Sequence, residues 1–248
     1  MKKILLPFIL LLATLHAGEI KIAVAANVTP AMEPLKKAFA KTHPNTDVTV
    51  ILGSSGQLTA QIQNGAPFDV FLSADMSYPQ SLYEKNIAQN QPQLYAQGAL
   101  VLFSARGIDL TKGIESVMDN RVNTIAIADP KTAPYGKAAV EALTKVGLLH
   151  SVENKFVYGT SINQAVQFTL TAAQIGFVAK SSMKSNDMLR FQEGKDYIDI
   201  DPSLYAPINQ GIVILAHGKE NAEAKAFYDF MLSNDAKNIM KQFGYLVP

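Results

Sequence analysis

The stretch that decides the fold is EIKIAVAANVTPAMEPLKKAFAKTHPNTDVTVILGSSGQLTAQIQNG, Glu19 to Gly65. It reads strand, small polar loop, helix, and then the same again. The first unit is the apolar run Ile20 to Ala26, the loop Asn27-Val28-Thr29, and a helix from about Pro30. The second is Val48 to Leu52, the loop Gly53-Ser54-Ser55-Gly56, and a helix from about Gln57 to Asn64. In an open α/β sheet, ligands sit beyond the carboxyl ends of the strands. Both loops stand there, and each precedes a helix N-terminus. Such a terminus offers unpaired backbone N–H groups and the positive end of the helix dipole, so it favours anions. Neither loop carries a charged side chain. The residues therefore point to a pocket that holds an oxyanion with dipoles and hydroxyls.

The same grammar continues along the chain. Thr29 and Pro30 suit the cap and first position of the first helix, with Met32, Leu35 and Phe39 at helical spacing. Pro34 predicts irregularity in its early turns. Phe68 to Ser73 reads as a buried strand, and Ser77 as the cap of a helix to Asn86. Leu94 to Gly98 reads as a first passage into a second lobe. There Thr124 to Ala128 and Lys155 to Tyr158 are strands, each followed by a loop and a helix. The loops, Thr132 to Gly136 and Gly159 to Ile162, are the second lobe's pocket candidates. Ile198 to Pro207 reads as the return passage. The predicted fold is α/β and two-lobed, each lobe a mostly parallel sheet flanked by helices. The expected boundaries are 18–96 with 207–248 for lobe 1, and 97–206 for lobe 2.

Composition narrows the function. The 248 residues are 48% hydrophobic and 17% charged, which argues against disorder. Lysine plus arginine is 22 against 21 acidic residues, a balance with no electrostatic footprint for nucleic acid. Cysteine is absent, which excludes disulfides, thiolate metal sites, thiol catalysis and a lipidated cysteine anchor. The first 17 residues read as a secretory signal: Lys2 and Lys3, an apolar run from Ile4 to Leu12, and cleavage after Ala17. That places the mature protein in the periplasm.

Several segments together carry a resemblance. Ala25-Ala26-Asn27-Val28-Thr29-Pro30, Gly53-Ser54-Ser55-Gly56-Gln57-Leu58, Asn64 through Asp75, Ala128-Asp129-Pro130 and Pro134-Tyr135-Gly136 resemble the periplasmic molybdate-binding proteins of ABC transporters and their tungstate-binding relatives. Phe227-Tyr228-Asp229-Phe230 and Phe243-Gly244-Tyr245 match too. The resemblance implies a type II periplasmic binding protein with two crossing segments, the oxyanion lying between the lobes. It implies four ligand positions: the Asn27 side-chain amide, the Ser55 hydroxyl and N–H, and the backbone N–H of Tyr135 and of Ile162. Some relatives add a tyrosine hydroxyl at a fifth position, which here is Ala179. Asn27 or the Tyr135 hydroxyl is the expected substitute. It also implies an ABC permease as partner, a monomer, no cofactor and no directly coordinated metal.

The chemistry agrees with that reading. Molybdate, tungstate and sulfate are tetrahedral dianions at neutral pH, whereas phosphate keeps a proton that needs an acceptor. The pocket loops lack a carboxylate apart from Asp129 at the edge, which is expected to hold its own turn. Four helix ends of about +0.5 charge each roughly oppose a dianion. Lys131 is the one cation nearby. A sulfate or other small-oxyanion receptor is the alternative. A secreted serine hydrolase is a distant one. Ser54 and Ser55 lack the Gly-x-Ser-x-Gly elbow, and His43, His150 and His217 lie outside the candidate loops.

Overall fold

The structure is a computed structural model that describes residues 18–248. The signal sequence read at residues 1–17 lies outside them. In chain order the elements are β1 (Gly18–Ala25), α1 (Thr29–Phe39), β2 (Thr46–Gly53), α2 (Ser55–Gln63), β3 (Val70–Leu72), α3 (Ser77–Glu84) and β4 (Gln93–Gly98). Next come β5 (Leu100–Phe103), β6 (Ile125–Ala128), α4 (Pro134–Lys145), α5 (Leu149–Val152), β7 (Phe156–Gly159), α6 (Ile162–Thr171) and β8 (Ile175–Ala179). The chain closes with β9 (Tyr197–Asp199), β10 (Ile208–Ile214), α7 (Ala222–Leu232) and α8 (Asn234–Gln242).

These strands form two five-stranded sheets, ordered β2-β1-β3-β10-β4 and β7-β6-β8-β5-β9. β1 pairs parallel with β2 and β3, and β6 parallel with β7 and β8. One strand in each sheet, β10 in the first and β5 in the second, runs against all the others. Those two strands are where the chain changes lobes. Only Ala99 separates β4, at the edge of the first sheet, from β5 in the second. β9, at the edge of the second sheet, leads back through Ile200–Pro207 to β10 in the first. A strand arriving from the other lobe enters its sheet in the reverse sense.

Alternation along the strands builds a core on both faces of each sheet. From β1, Ile20, Ile22 and Val24 pack with Leu35, Phe39, Phe227 and Met240, while Ala23 packs with Leu58, Ile62 and Phe71 on the other face. In the second sheet, Leu100, Leu102, Ile125, Ile127 and Phe177 join one cluster, and Val101, Phe103 and Val178 the other. Fully burying each such side chain stabilises by roughly 1.5–3 kcal/mol.

Three local expectations are corrected. Thr29 is the first residue of α1, not its cap: a 3-10 turn, Ala26–Val28, runs into the helix, and the Thr29 hydroxyl donates to the Ala26 carbonyl at 2.7 Å. α1 continues through Pro34 without a break. Ser77 likewise begins α3, and its cap is the Asp75 carboxylate, which accepts from the Tyr78 N–H at 3.1 Å. The last two helices are capped by side chains. Asn221 accepts from the N–H groups of Glu223 and Ala224, and Ser233 from that of Ala236. Gly65 and Gly147 end α2 and α4 with φ of +85° and +74°, a region open to glycine at little cost.

Candidate functional site

A small cavity lies between the sheets, at the carboxyl ends of β1, β2, β3, β6 and β7. It is lined by Ala25, Ala26, Asn27, Gly53, Ser54, Ser55, Ala74, Ala133, Pro134, Tyr135 and Ile162. All four residues singled out in the sequence stand in this one wall. Asn27 and Ser55 come from the first lobe, Tyr135 and Ile162 from the second. None of the described residues lining it is acidic or basic. Lys131 is exposed and outside the lining. The Asp129 carboxylate accepts from the Lys131 N–H at 3.0 Å and so holds its own turn.

Three α-helices begin here. Ser55 is the first residue of α2, Tyr135 the second of α4 and Ile162 the first of α6. The first N–H groups of a helix have no intrahelical acceptor, so these three backbones are free to donate. Ser54 caps α2 through a capping box with Gln57, and Ser161 caps α6 by accepting from the Gln164 N–H. With Ser54 committed to the cap, Ser55 is left for another task. Its Oγ accepts from the Ala74 N–H at 2.9 Å, which leaves its own proton free to donate.

Asn27 is fully buried in the 3-10 turn after β1. Its Nδ2 donates to Gln210 Oε1 at 3.0 Å and to the Tyr245 hydroxyl at 2.9 Å. Its backbone carbonyl accepts from the hydroxyls of Tyr245 and Ser181, both at 2.8 Å. The Tyr135 side chain turns away from the role considered for it: its hydroxyl accepts from Gln210 Nε2 at 3.3 Å. That hydroxyl rests against Gly98, where a Cβ would come within 2.0 Å of it. Burial lifts the hydroxyls of Tyr135, Tyr95 and Tyr245 above the usual phenol range, so they stay protonated. Ala179 is fully buried at the end of β8 and outside the lining.

The lobes meet directly around the cavity. The Gly56 N–H donates to the Thr132 carbonyl at 2.9 Å, Asn163 Nδ2 to Thr29 Oγ1 at 2.9 Å, and the Tyr78 hydroxyl to the Lys131 carbonyl at 3.3 Å. Gly56 makes the first of these possible, since a Cβ there would sit 2.9 Å from Thr132 Cα.

Sequence reasoning missed Gln210, Tyr95, Tyr245 and Ser181. One signal was present: the adjacent amides Asn209 and Gln210 stand in a strand that ends in the apolar run Ile212 to Leu215, strand alternation turns one of the two inward, and a buried amide needs partners.

The histidines are elsewhere. His43 stacks on Phe39, His150 bonds Glu153, and His217 bonds Asp69 at 3.0 Å. No described histidine lines the cavity, so a serine there has no general base. Among the described residues no group of three His, Cys, Asp or Glu could hold a metal ion, and no helix is long and apolar enough to cross a membrane.

Residues 20–246 match the family of bacterial extracellular solute-binding proteins. The molybdate-binding protein ModA of Rhodobacter capsulatus is 41% identical over 93% of this chain and 89% of its own length. ModA of Azotobacter vinelandii is 39% identical over 95% and 93%. The structure of the Azotobacter vinelandii periplasmic molybdate-binding protein superposes with a TM-score of 0.85 and 35% identity, covering 92% of this chain and 99% of that one. With its two sheets, its crossing strands and its inter-lobe cavity, this chain belongs to the bacterial extracellular solute-binding proteins and, among them, to the ModA family.

Proposed function

We propose that the protein captures molybdate, and tungstate of nearly the same size, and delivers it to an ABC-type permease for import. The observation that carries this reading is the cavity wall: uncharged residues from both lobes, gathered at three helix N-termini and one 3-10 turn. The proposed ligand set is Asn27, Ser55, Tyr135 and Ile162, with the ion held through its oxygens and no metal–protein bond. Each hydrogen bond to a charged oxygen stabilises by roughly 1.5–3 kcal/mol. A protonated oxyanion such as phosphate needs a carboxylate acceptor, and the described lining offers none.

Sulfate is the second reading, since the same donors suit it and only the radius differs. The names of the relatives favour the larger ion. The leader at residues 1–17 supports export to the periplasm, with the two lobes joined at Ala99 and again at residues 200–207. We take the working unit to be a monomer, and one that binds without chemistry, since among the described residues no general base lines the cavity beside Ser54 or Ser55. Closure of both lobes on the ion supplies donors that neither lobe has alone.

Thermal melting of the mature protein tests the assignment. Molybdate and tungstate are expected to raise the midpoint in a concentration-dependent way, by about 4 kcal/mol of added stability at a thousandfold excess over Kd. Phosphate is expected to leave it unchanged. A shift with sulfate and none with either metal oxyanion overturns the choice of ion.

A further inference from the structure

The structure assigns Gln210 a part in anion binding: we infer that its amide is a positioning group that sets which end of the Asn27 amide faces the cavity. The inference rests on the oxyanion reading above and adds a residue that does not touch the ion.

Asn27 and Gln210 are both fully buried. As the side chains stand, both N–H bonds of Asn27 Nδ2 are spent inside the protein, on Gln210 Oε1 and the Tyr245 hydroxyl. Asn27 Oδ1 is buried with no hydrogen-bond partner among the described residues. An orphaned buried acceptor costs free energy, and beside an anion it repels. This arrangement disfavours the ion.

A half-turn of both amides repairs it without moving any other heavy atom. Gln210 Nε2 then donates to Asn27 Oδ1 across the same 3.0 Å, and its second N–H faces the Tyr95 hydroxyl at 2.9 Å. Tyr95 passes its own proton to the Ser73 carbonyl, and the Tyr135 hydroxyl donates to Gln210 Oε1. Tyr245 can turn its proton to Asn27 Oδ1, because Ser181 still serves the Asn27 carbonyl. Every buried group keeps a partner, and Asn27 Nδ2 is released to donate to the ion.

The two amides must turn together. Asn27 turning alone sets Oδ1 against Gln210 Oε1, two acceptors at hydrogen-bond distance. The two amides therefore turn as one unit, and the orientation with Gln210 Nε2 toward Asn27 is the one in which the Asn27 amide can donate to the ion. The pair and its Tyr95 and Tyr245 contacts lie in the first lobe, and Tyr135 and Ser181 join them from the second where the lobes meet.

Gln210→Glu tests this. As a carboxylate the side chain only accepts, which holds Asn27 Nδ2 inward; as a carboxylic acid it can donate to Asn27 Oδ1. Sodium molybdate is titrated by calorimetry between about pH 6 and about pH 9, a range in which burial places the glutamate's titration. Wild-type affinity is expected to stay flat, and the variant to weaken by about tenfold or more as pH rises. A pH-independent affinity in the variant, whether equal to wild type or uniformly lower, overturns the inference. A second readout needs no substitution: in 15N-labelled wild-type protein, molybdate is expected to shift the side-chain amide signals of Asn27 and Gln210 together. A shift of Asn27 alone overturns it too. If wild-type protein binds neither molybdate nor sulfate, the oxyanion reading itself fails, and the inference with it.

Discussion

In the first lobe Asn27 and Ser55 bring polar side chains to the cavity; in the second, Tyr135 and Ile162 bring a phenol committed elsewhere and an aliphatic chain. The strand orders of the two sheets correspond position for position, so the difference is not one of framework. α2 and α6 start alike, each capped by a serine, Ser54 and Ser161. In the first lobe a second serine follows the cap. In the second an isoleucine follows, and its side chain fills the core. On the proposed ligand set, one lobe offers an anion side chains and backbone, the other backbone alone. Backbone donors belong to the fold itself, and most substitutions leave them in place.

Four experiments press on that contrast. The largest effect is expected for Asn27→Asp at about pH 8, where a carboxylate would face the ion. Like charges about 4 Å apart in this setting cost about 4 kcal/mol, so affinity for molybdate falls about a thousandfold. Lowering the pH restores part of it, because protonation removes the charge. Calorimetry that finds wild-type affinity at pH 8 would take Asn27 out of the site.

Gly56→Ala comes next. The added Cβ would lie 2.7 Å from the Tyr78 hydroxyl and 3.0 Å from the Thr132 carbonyl, at the seam between the lobes. Overpacking of this kind costs about 2–3 kcal/mol. We expect weaker binding and, by small-angle scattering, a larger radius of gyration at saturating ligand. Unchanged affinity would mean that contact at this seam is not needed for capture.

Ile162→Pro isolates a backbone donor. Proline suits the first position of a helix, and Ser161 before it is already extended, with φ −148° and ψ 169°. The substitution deletes the N–H, and affinity is expected to fall by about 2 kcal/mol. Ile162→Val keeps the N–H and the affinity. Equal binding by both variants would mean that the second lobe does not use this group.

The smallest effects separate a ligand from a cap. Ser55→Ala is expected to lower affinity by about 1.5 kcal/mol. Ser161→Ala is expected to cost about 1 kcal/mol of stability, read as urea midpoint, and little affinity. The reverse pattern would make Ser55 the structural residue.

Much of the fold was legible because strand–loop–helix units leave a local signature. The runs read as strands, Ile20 to Ala26 and Val48 to Leu52, fall in β1, which ends at Ala25, and in β2, and the segments after them line the cavity. Errors fell where a cap depends on neighbours two or three residues away. Thr29 looked like a cap, yet the 3-10 turn before it carries the chain straight into helix. At α3 the cap is Asp75 and not Ser77, since the carboxylate reaches the Tyr78 N–H. Gln210 and Tyr245 stood in plain sight in the sequence, but what they bond lies 183 and 218 residues away, on Asn27.

By itself the sequence determined the α/β class, the neutral polar loops at helix starts and the absence of thiol chemistry. These follow from periodicity, propensity and composition, which are properties of short windows. Tertiary structure alone decided that four loops from two lobes share one cavity, and that the Tyr135 hydroxyl turns toward Gln210. It alone decided that the Asn27 amide is held by groups from the far end of the chain. The reason is physical: a hydrogen bond depends on distance and direction in space, and for residues two hundred positions apart only the folded chain sets either.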